Sequence, residues 1–224
     1  MKTVFAMNGS PSKEKGCTAL LLAPFMEGMQ EAGARVELFY ASRLRIKPCS
    51  CNEMHCWNDT PAQCCIQDDM QDLYPRMKSA DILVLAMPVY IPFPGDMQNF
   101  INRLVPLMDP ELELRAGRTR IRLYKDVNIR QVVLVGVSGW WELENFGRTM
   151  SIIQDLCATM NVEFAGALLR PHVNAMKSQG KITHAGKMVL QGAHRAGLEL
   201  IHNGAISPEA IEIIRRPLVP VNEY

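Results

Sequence analysis

The chain has 224 residues, 48% hydrophobic and 21% charged, which is enough apolar material for one sizeable core and argues against disorder. Its 24 Lys and Arg against 23 Asp and Glu leave a formal charge of +1, so no one-signed field points to nucleic acid or an anionic membrane. No apolar run approaches the roughly 20 residues that span a bilayer, and MKTVFAMNGSPSKEKG lacks the apolar stretch and cleavage site of a signal peptide, which predicts a cytoplasmic protein.

Apolar, β-branched runs alternate with helical patterns. A strand at 2–7 (KTVFAM) precedes a helix at 18–33; strands at 34–40 (ARVELFY) and 81–87 (DILVLAM) flank a helix at 68–80. A helix at 96–108, a strand at 131–138 (QVVLVGVS), a helix at 145–161 and a strand at 162–169 (VEFAGALL) follow. Nearly continuous apolar strands separated by helices predict an α/β, doubly wound fold: a five-stranded parallel sheet with helices on both faces and right-handed crossovers. One domain is expected over 1–204, with a cysteine-rich loop at 47–67 and a basic excursion at 110–130, then a C-terminal extension at 205–224. The excursion sets Arg115, Arg118, Arg120, Arg122, Lys125 and Arg130 against Glu111, Glu113 and Asp126. It reads as solvated, with a phosphate-bearing cosubstrate or a partner as the alternative.

In such sheets ligands sit beyond the carboxyl ends of the strands, so the loops beginning at Asn8, Pro88 and Ser138 should share one crevice. The first, NGSPSKEKGCTALLL (8–22), places Ser10, Ser12 and Thr18 just before a helix. Unpaired N–H groups and the positive end of the helix dipole there suit a phosphate, although a structural turn with an N-cap has the same residues. The second, MPVYIPFPGD (87–96), is stiffened by proline and can present Tyr90 and Phe93 to a flat aromatic ligand. In the third, SGWWELENFG (138–147), two adjacent tryptophans cannot both enter the same core, so one of them should face a ligand or partner. His172, in RPH after the fifth strand, reads as a structural residue at the crevice edge.

Five of the seven cysteines fall in PCSCNEMHCWNDTPAQCC (48–65). An odd cysteine count in a reducing compartment favours thiols, a metal or a cluster over a disulfide framework. The spacing Cys49-x-Cys51-x4-Cys56-x7-Cys64, with Cys65 adjacent, is compatible with an iron-sulfur cluster, with zinc using His55 as a further ligand, or with a metal-free loop. Trp57 could stack near a ligand or pack the loop. Cys157, on the apolar face of SIIQDLCATM, reads as core.

Together GSPSKEKGCT, then KPC...CW..TP..C.IQDDM, then MPVY, then NFINRL resemble the flavodoxin-like NAD(P)H-dependent FMN reductase superfamily, in particular its iron-sulfur flavoprotein branch. The resemblance implies a flavodoxin-like fold with the FMN phosphate over Ser10, Ser12, Gly16, Cys17 and Thr18. It puts the isoalloxazine against Pro88, Val89, Tyr90, Ile91, Ser138, Gly139 and Trp140. Cys17 stands where the branch usually has Asn and Ser12 where it has Arg, so one amide and one cation that assist phosphate binding are missing. Aligned on Cys56-Trp57 and Asp68-Asp69-Met70, Cys56 and Cys64 fall on the branch's third and fourth cluster cysteines, while Cys49 and Cys51 are shifted from the first two.

The chemistry implied is electron transfer from NAD(P)H through FMN to a small-molecule or protein acceptor, in a homo-oligomer (dimer or tetramer) whose second subunit commonly completes the flavin crevice. No Asp, Glu or His is marked by motif as a proton donor. Two alternatives stay open. One is an iron-sulfur flavoprotein carrying electrons between protein partners, with a [4Fe-4S] cluster on Cys49, Cys51, Cys56 and Cys64; the other is a zinc- or ligand-binding module without redox activity.

Overall fold

The computed structural model describes residues 1–50 and 54–224; Cys51, one of the four expected cluster ligands, lies outside the described residues. In chain order the elements are β1 (Thr3–Asn8), α1 (Cys17–Glu31), β2 (Arg35–Tyr40), the one-turn α2 (His55–Asn58), α3 (Met70–Lys78), β3 (Ile82–Pro88) and α4 (Gly95–Asn102). Then come β4 (Met108–Arg115), β5 (Arg118–Leu123), β6 (Gln131–Val137), α5 (Gly147–Met160), β7 (Glu163–Arg170), β8 (Lys177–Ser178), β9 (Lys181–Ile182), α6 (His184–Asn203) and α7 (Pro208–Arg215).

Five strands pair in parallel in the order β2-β1-β3-β6-β7, the flavodoxin order. All five expected strands are present. The strand order reverses direction between β1 and β3, and the loops after these strands therefore part to opposite sides and leave a crevice at the carboxyl edge. Alternating side chains divide the core. Phe5, Met7, Leu83, Leu85, Val132 and Leu134 lie on one face under α3, α4 and α5. Val4, Ala6, Ile82, Val84, Val133 and Val135 lie on the other under α1, α6 and α7.

Among the differences from the sequence expectation, three stand out. The helix expected at 96–108 ends at Asn102, because residues 105–107 tighten into a 3-10 turn around Pro106 and Met108 begins a strand. The 110–130 segment, expected as a solvated excursion, is built on the antiparallel β4–β5 hairpin, whose inner residues Ile121 and Leu123 are buried while Leu112 and Leu114 are exposed. The third is α6, absent from the sequence reading, whose Val189, Ala193, Ala196 and Leu200 form a buried stripe. It lies so close to α1 that a Cβ on Gly28 would stand 2.0 Å from the His194 carbonyl oxygen, and one on Gly197 would stand 2.1 Å from that of Phe25.

Candidate active site

The first loop is wound tightly onto itself. Gly9 N–H donates to the Ala86 carbonyl of β3 at 2.7 Å, and a Cβ at Gly9 would meet Met97 of α4 at 2.7 Å, so a side chain there has no room. Ser10 N–H donates to Asn8 Oδ1 at 2.8 Å, and Ser12 N–H donates to Ser10 Oγ at 3.3 Å. Gly16 is the N-cap of α1 and supplies no side-chain cap, which leaves the first N–H groups of that helix available. Beside them Thr18 is 1% exposed and its Oγ1 has no hydrogen-bond partner; the buried Asn8 Nδ2 likewise has none. An unsatisfied buried polar group costs about 1–3 kcal/mol, so a cradle with two of them is built for an acceptor-rich, anionic group, which supplies what both groups and the helix end lack.

The second and third loops meet beyond β3 and β6. Val89 N–H donates to the Val137 carbonyl at 2.9 Å and Tyr90 N–H to that of Pro92 at 3.0 Å across a cis Ile91–Pro92 bond. Ser138 is buried; its N–H donates to the Arg170 carbonyl at 3.0 Å and its Oγ accepts from Trp140 N–H at 3.0 Å. Between these loops and the first turns of α5 lies an open cleft of about 940 Å³, lined by Val89, Tyr90, Ile91, Pro92 and Trp140 and by residues of the 144–152 segment, Arg148 and Thr149 among them. Its rim is apolar: Tyr90 is 52%, Ile91 95% and Trp140 65% exposed. Flat apolar walls beside a helix N-terminus carrying an arginine suit a planar ring system with polar edges.

The tryptophan pair divides: Trp140 is exposed at the cleft, and Trp141 faces its own chain. Trp141 stacks on His172 and its indole N–H donates to the Val219 carbonyl at 3.2 Å. Leu218 N–H and Arg170 Nη2 both approach His172 Nε2, at 3.0 and 2.9 Å, while Nδ1 lies 3.3 Å from the Trp141 carbonyl. These partners require a neutral ring with its proton on Nδ1. Burial first, then the neighbouring Arg170 cation, holds the His172 pKa below its ordinary value. Arg170 is itself fully buried and donates to the Ile214 and Arg216 carbonyls at 2.6 and 2.9 Å, closing the C-terminal end of α7. Burial, then Arg216, brings its pKa down to about 10. Residues 217–224 thus lie over the third loop, and Tyr224 Oη donates to the Gly139 carbonyl.

The cysteine loop forms a separate feature. Cys49, Cys56, Cys64 and Cys65 line one small cleft with Asn102, Arg103, Val105 and Pro106 at the end of α4. Trp57 packs the loop rather than reaching the strand ends, with its indole N–H donating to the Val105 carbonyl at 3.3 Å. Gln71 Nε2 donates to the Cys64 and Ile66 carbonyls at 2.9 and 2.8 Å. Tyr74 is buried beside Cys64, and both burial and that neighbour raise its hydroxyl pKa. Cys157 sits in the core, its thiol pushed up to about 12 by burial. Four thiols on one cleft are the donor type of a cluster. Among the described residues, however, no three His, Cys, Asp or Glu side chains come together so as to hold a metal ion.

Ser10, Ser12, Gly16, Cys17 and Thr18 therefore gather at the first loop, and Val89, Tyr90, Ile91 and Trp140 at the second cleft. Pro88, Ser138 and Gly139, expected with them, are not among the residues that line that cleft. The described walls of that cleft come from the second loop, the third loop and α5, not from the first loop. Sequence reasoning missed Asn8, Arg148, Thr149 and Arg103. Asn8 had a signal, since an Asx residue two positions before a turn commonly accepts from the backbone; Arg103 lies in the family-like segment NFINRL, but its partners, 35 and 56 residues away, fall outside any local window.

The sheet order, with its crevice at the switch point, defines a doubly wound α/β protein of flavodoxin topology. The family described as NADPH-dependent FMN reductase matches residues 2–140, and the chain belongs to it. It is 28% identical over 116 residues to an iron-sulfur flavoprotein of Methanosarcina thermophila, covering 50% of this chain and 53% of that one. With an iron-sulfur flavoprotein of Methanocaldococcus jannaschii it shares 33% identity over 115 residues, covering 51% and 54%. The chain spans about half the length of these curated relatives. Among solved structures it resembles an NAD(P)H:quinone oxidoreductase from Methanothermobacter marburgensis, with TM-score 0.60, 19% identity and coverage of 90% of this chain and 98% of that one. An FMN-dependent NADH-azoreductase from Bacillus anthracis gives TM-score 0.59 at 13% identity, covering 92% and 100%. At these identities the structural likeness establishes the fold. No helix among the described residues is long and apolar enough to cross a membrane.

Proposed function

We propose that this chain is a cytoplasmic FMN-dependent oxidoreductase that transfers electrons from NAD(P)H to a small acceptor. The observation that carries the reading is the buried, unpartnered Thr18 hydroxyl beside the uncapped start of α1 at the β1/β3 switch point. Family membership supports it. Bound FMN would supply the redox chemistry, accepting hydride from reduced nicotinamide and passing electrons on.

The chain's own residues bind, orient and shield. Ser10, Ser12, Gly16, Cys17 and Thr18 would hold the phosphate; Pro88, Val89, Tyr90, Ile91, Ser138, Gly139 and Trp140 would border the ring. The cleft walled by Tyr90, Ile91 and Trp140 would admit donor and acceptor in turn, its apolar rim excluding water. The β4–β5 hairpin, with Leu112 and Leu114 exposed, is the surface we assign to a homo-oligomer contact. An absorption spectrum and NAD(P)H turnover of the purified protein test the reading; a colourless protein that does not bind added FMN would sink it.

A second reading rests on Cys49, Cys56, Cys64 and Cys65 lining one cleft and on relatives named as iron-sulfur flavoproteins. Among the described residues no three such side chains come together to hold a metal ion, and Cys51, the remaining expected ligand, lies outside them. Iron and acid-labile sulfide analysis of anaerobically purified protein decides this separately from the flavin.

A further inference from the structure

The cysteine loop leaves and rejoins the fold through a neck closed by one guanidinium. At the start of the loop Arg103 Nη1 donates to the Lys47 carbonyl at 2.9 Å. At its end Nη1 and Nη2 donate to the two Asp68 carboxylate oxygens at 2.7 and 3.1 Å, and Nη2 reaches the Ile66 carbonyl at 3.5 Å. Asp68 Oδ2 also accepts from Lys47 N–H at 2.9 Å, so the two strands of the neck are joined twice. Both side chains are 1% exposed. Burial alone would raise the Asp68 carboxyl, but hydrogen bonds from Arg103 and from the Lys47 and Met70 N–H groups hold it below the usual carboxylate range.

Arg103 follows directly on α4, whose other end carries the second loop and sets Met97 against Gly9. The same helix grips the start of the cysteine loop again, through Asn99 Nδ2 and the Ile46 carbonyl at 3.3 Å. Tyr74 Oη fixes the Arg103 backbone by donating to its carbonyl at 3.0 Å. An eight-residue helix is about 12 Å long, so α4 is a short rod between the crevice loops and the cysteine cleft.

We infer that Arg103 is the positioning residue of the cysteine cleft, locking the neck of the loop through its bidentate fork with Asp68 and its bond to Lys47 so that Cys56 and Cys64 stay against the end of α4. Only a planar fork reaches both sides of the neck; a lysine ammonium at this position would keep the charge and lose the bridge. The inference goes beyond the flavin reading and does not depend on it, because the neck is closed by protein groups alone.

The test is a mass-spectrometric time course of alkylation by N-ethylmaleimide, in the full chain under reducing conditions, for the unsubstituted protein, R103K, R103M and D68N. Cys56, 7% exposed, and Cys64 should react at least tenfold faster in R103M and R103K, with D68N intermediate, while the core thiol Cys157 keeps its slow rate and FMN content is unchanged. Unchanged labelling of Cys56 and Cys64 overturns the inference. So does acceleration of Cys157 in step with them, since that reports opening of the whole core. If R103M does not fold, R103K and D68N decide alone.

Discussion

Trp141 lies flat on His172, their ring centroids 5.6 Å apart and their planes 17° from parallel. The contact places the histidine where the Arg170 and Leu218 N–H groups, both directed at Nε2, require it neutral, while the Trp141 carbonyl takes the Nδ1 proton. Because its folded pKa lies below the ordinary value of about 6.5, the stability it contributes is fully present above that pH and is lost as pH falls through the depressed folded value. The melting temperature should therefore fall as the pH is taken below about 6.5. In His172→Gln, which keeps an acceptor but cannot titrate, the fall should be shallower. Parallel curves for the two proteins would mean that another group sets the slope.

Thr18 separates a ligand-binding role from a structural one. Its Oγ1 is buried without a partner, so Thr18→Val should leave the cofactor-free protein as stable or up to about 1 kcal/mol more stable, since an unsatisfied hydroxyl is removed. The same change should weaken FMN binding about tenfold, and Ser10→Ala combined with it by more, each lost hydrogen bond to a phosphate being about 1.5 kcal/mol. Isothermal titration with FMN and thermal melts without it give the two numbers. Equal losses in both would assign the hydroxyl to folding instead.

Gly28 and Gly197 carry the contact between α1 and α6. A methyl group on either would press within about 2 Å of a backbone carbonyl oxygen, and neither helix can shift without disturbing the sheet beneath it. Gly28→Ala or Gly197→Ala should cost about 2–3 kcal/mol, against a gain of up to about 1 kcal/mol from helix propensity alone at an open site. Urea unfolding measures the difference, and a stabilised alanine variant would contradict the packing.

The two tryptophans should part in opposite ways. Trp140 is 65% exposed, so Trp140→Ala should change stability by less than about 0.5 kcal/mol while altering KM for NAD(P)H or acceptor. Trp141 holds residues 217–224 through Val219 and His172, and Trp141→Ala should cost about 1–3 kcal/mol. Limited proteolysis should then cut the 217–224 segment faster in Trp141→Ala only. Similar protection in both variants would remove the assigned difference.

What was legible in the sequence was whatever local pattern decides. The central strands β1, β3 and β6 are buried on both faces and so are written as unbroken apolar runs, KTVFAM, DILVLAM and QVVLVGVS. The first loop could be located by its Gly and Ser residues. By contrast α6 carries Gly186, Gly192 and Gly197, which lower helix propensity and dilute the apolar stripe; close approach to neighbouring elements, a tertiary demand, outweighs propensity there. The hairpin at 108–123 does alternate with a period of two, in ELELR and RTRIRL, but its charges outnumber its apolar residues, and so dense a run of charge reads as a solvated loop. The Asp68–Arg103 fork and the Arg170–His172 cluster join residues distant in sequence or depend on where residues 214–218 lie, which no local window contains.

The closeness of α1 to α6 divides the molecule's freedom to change. The helix that begins at the Thr18 cradle is wedged backbone to backbone and tolerates almost no alteration, whereas Tyr90, Ile91 and Trp140 stand in solvent and support no core. Under the proposed function, mutational drift at those three positions would leave folding untouched while redrawing the outline of the molecule the cleft admits. On that reading the scaffold could acquire new electron acceptors in single steps, each tested by selection without first having to be rescued by a compensating change in the core.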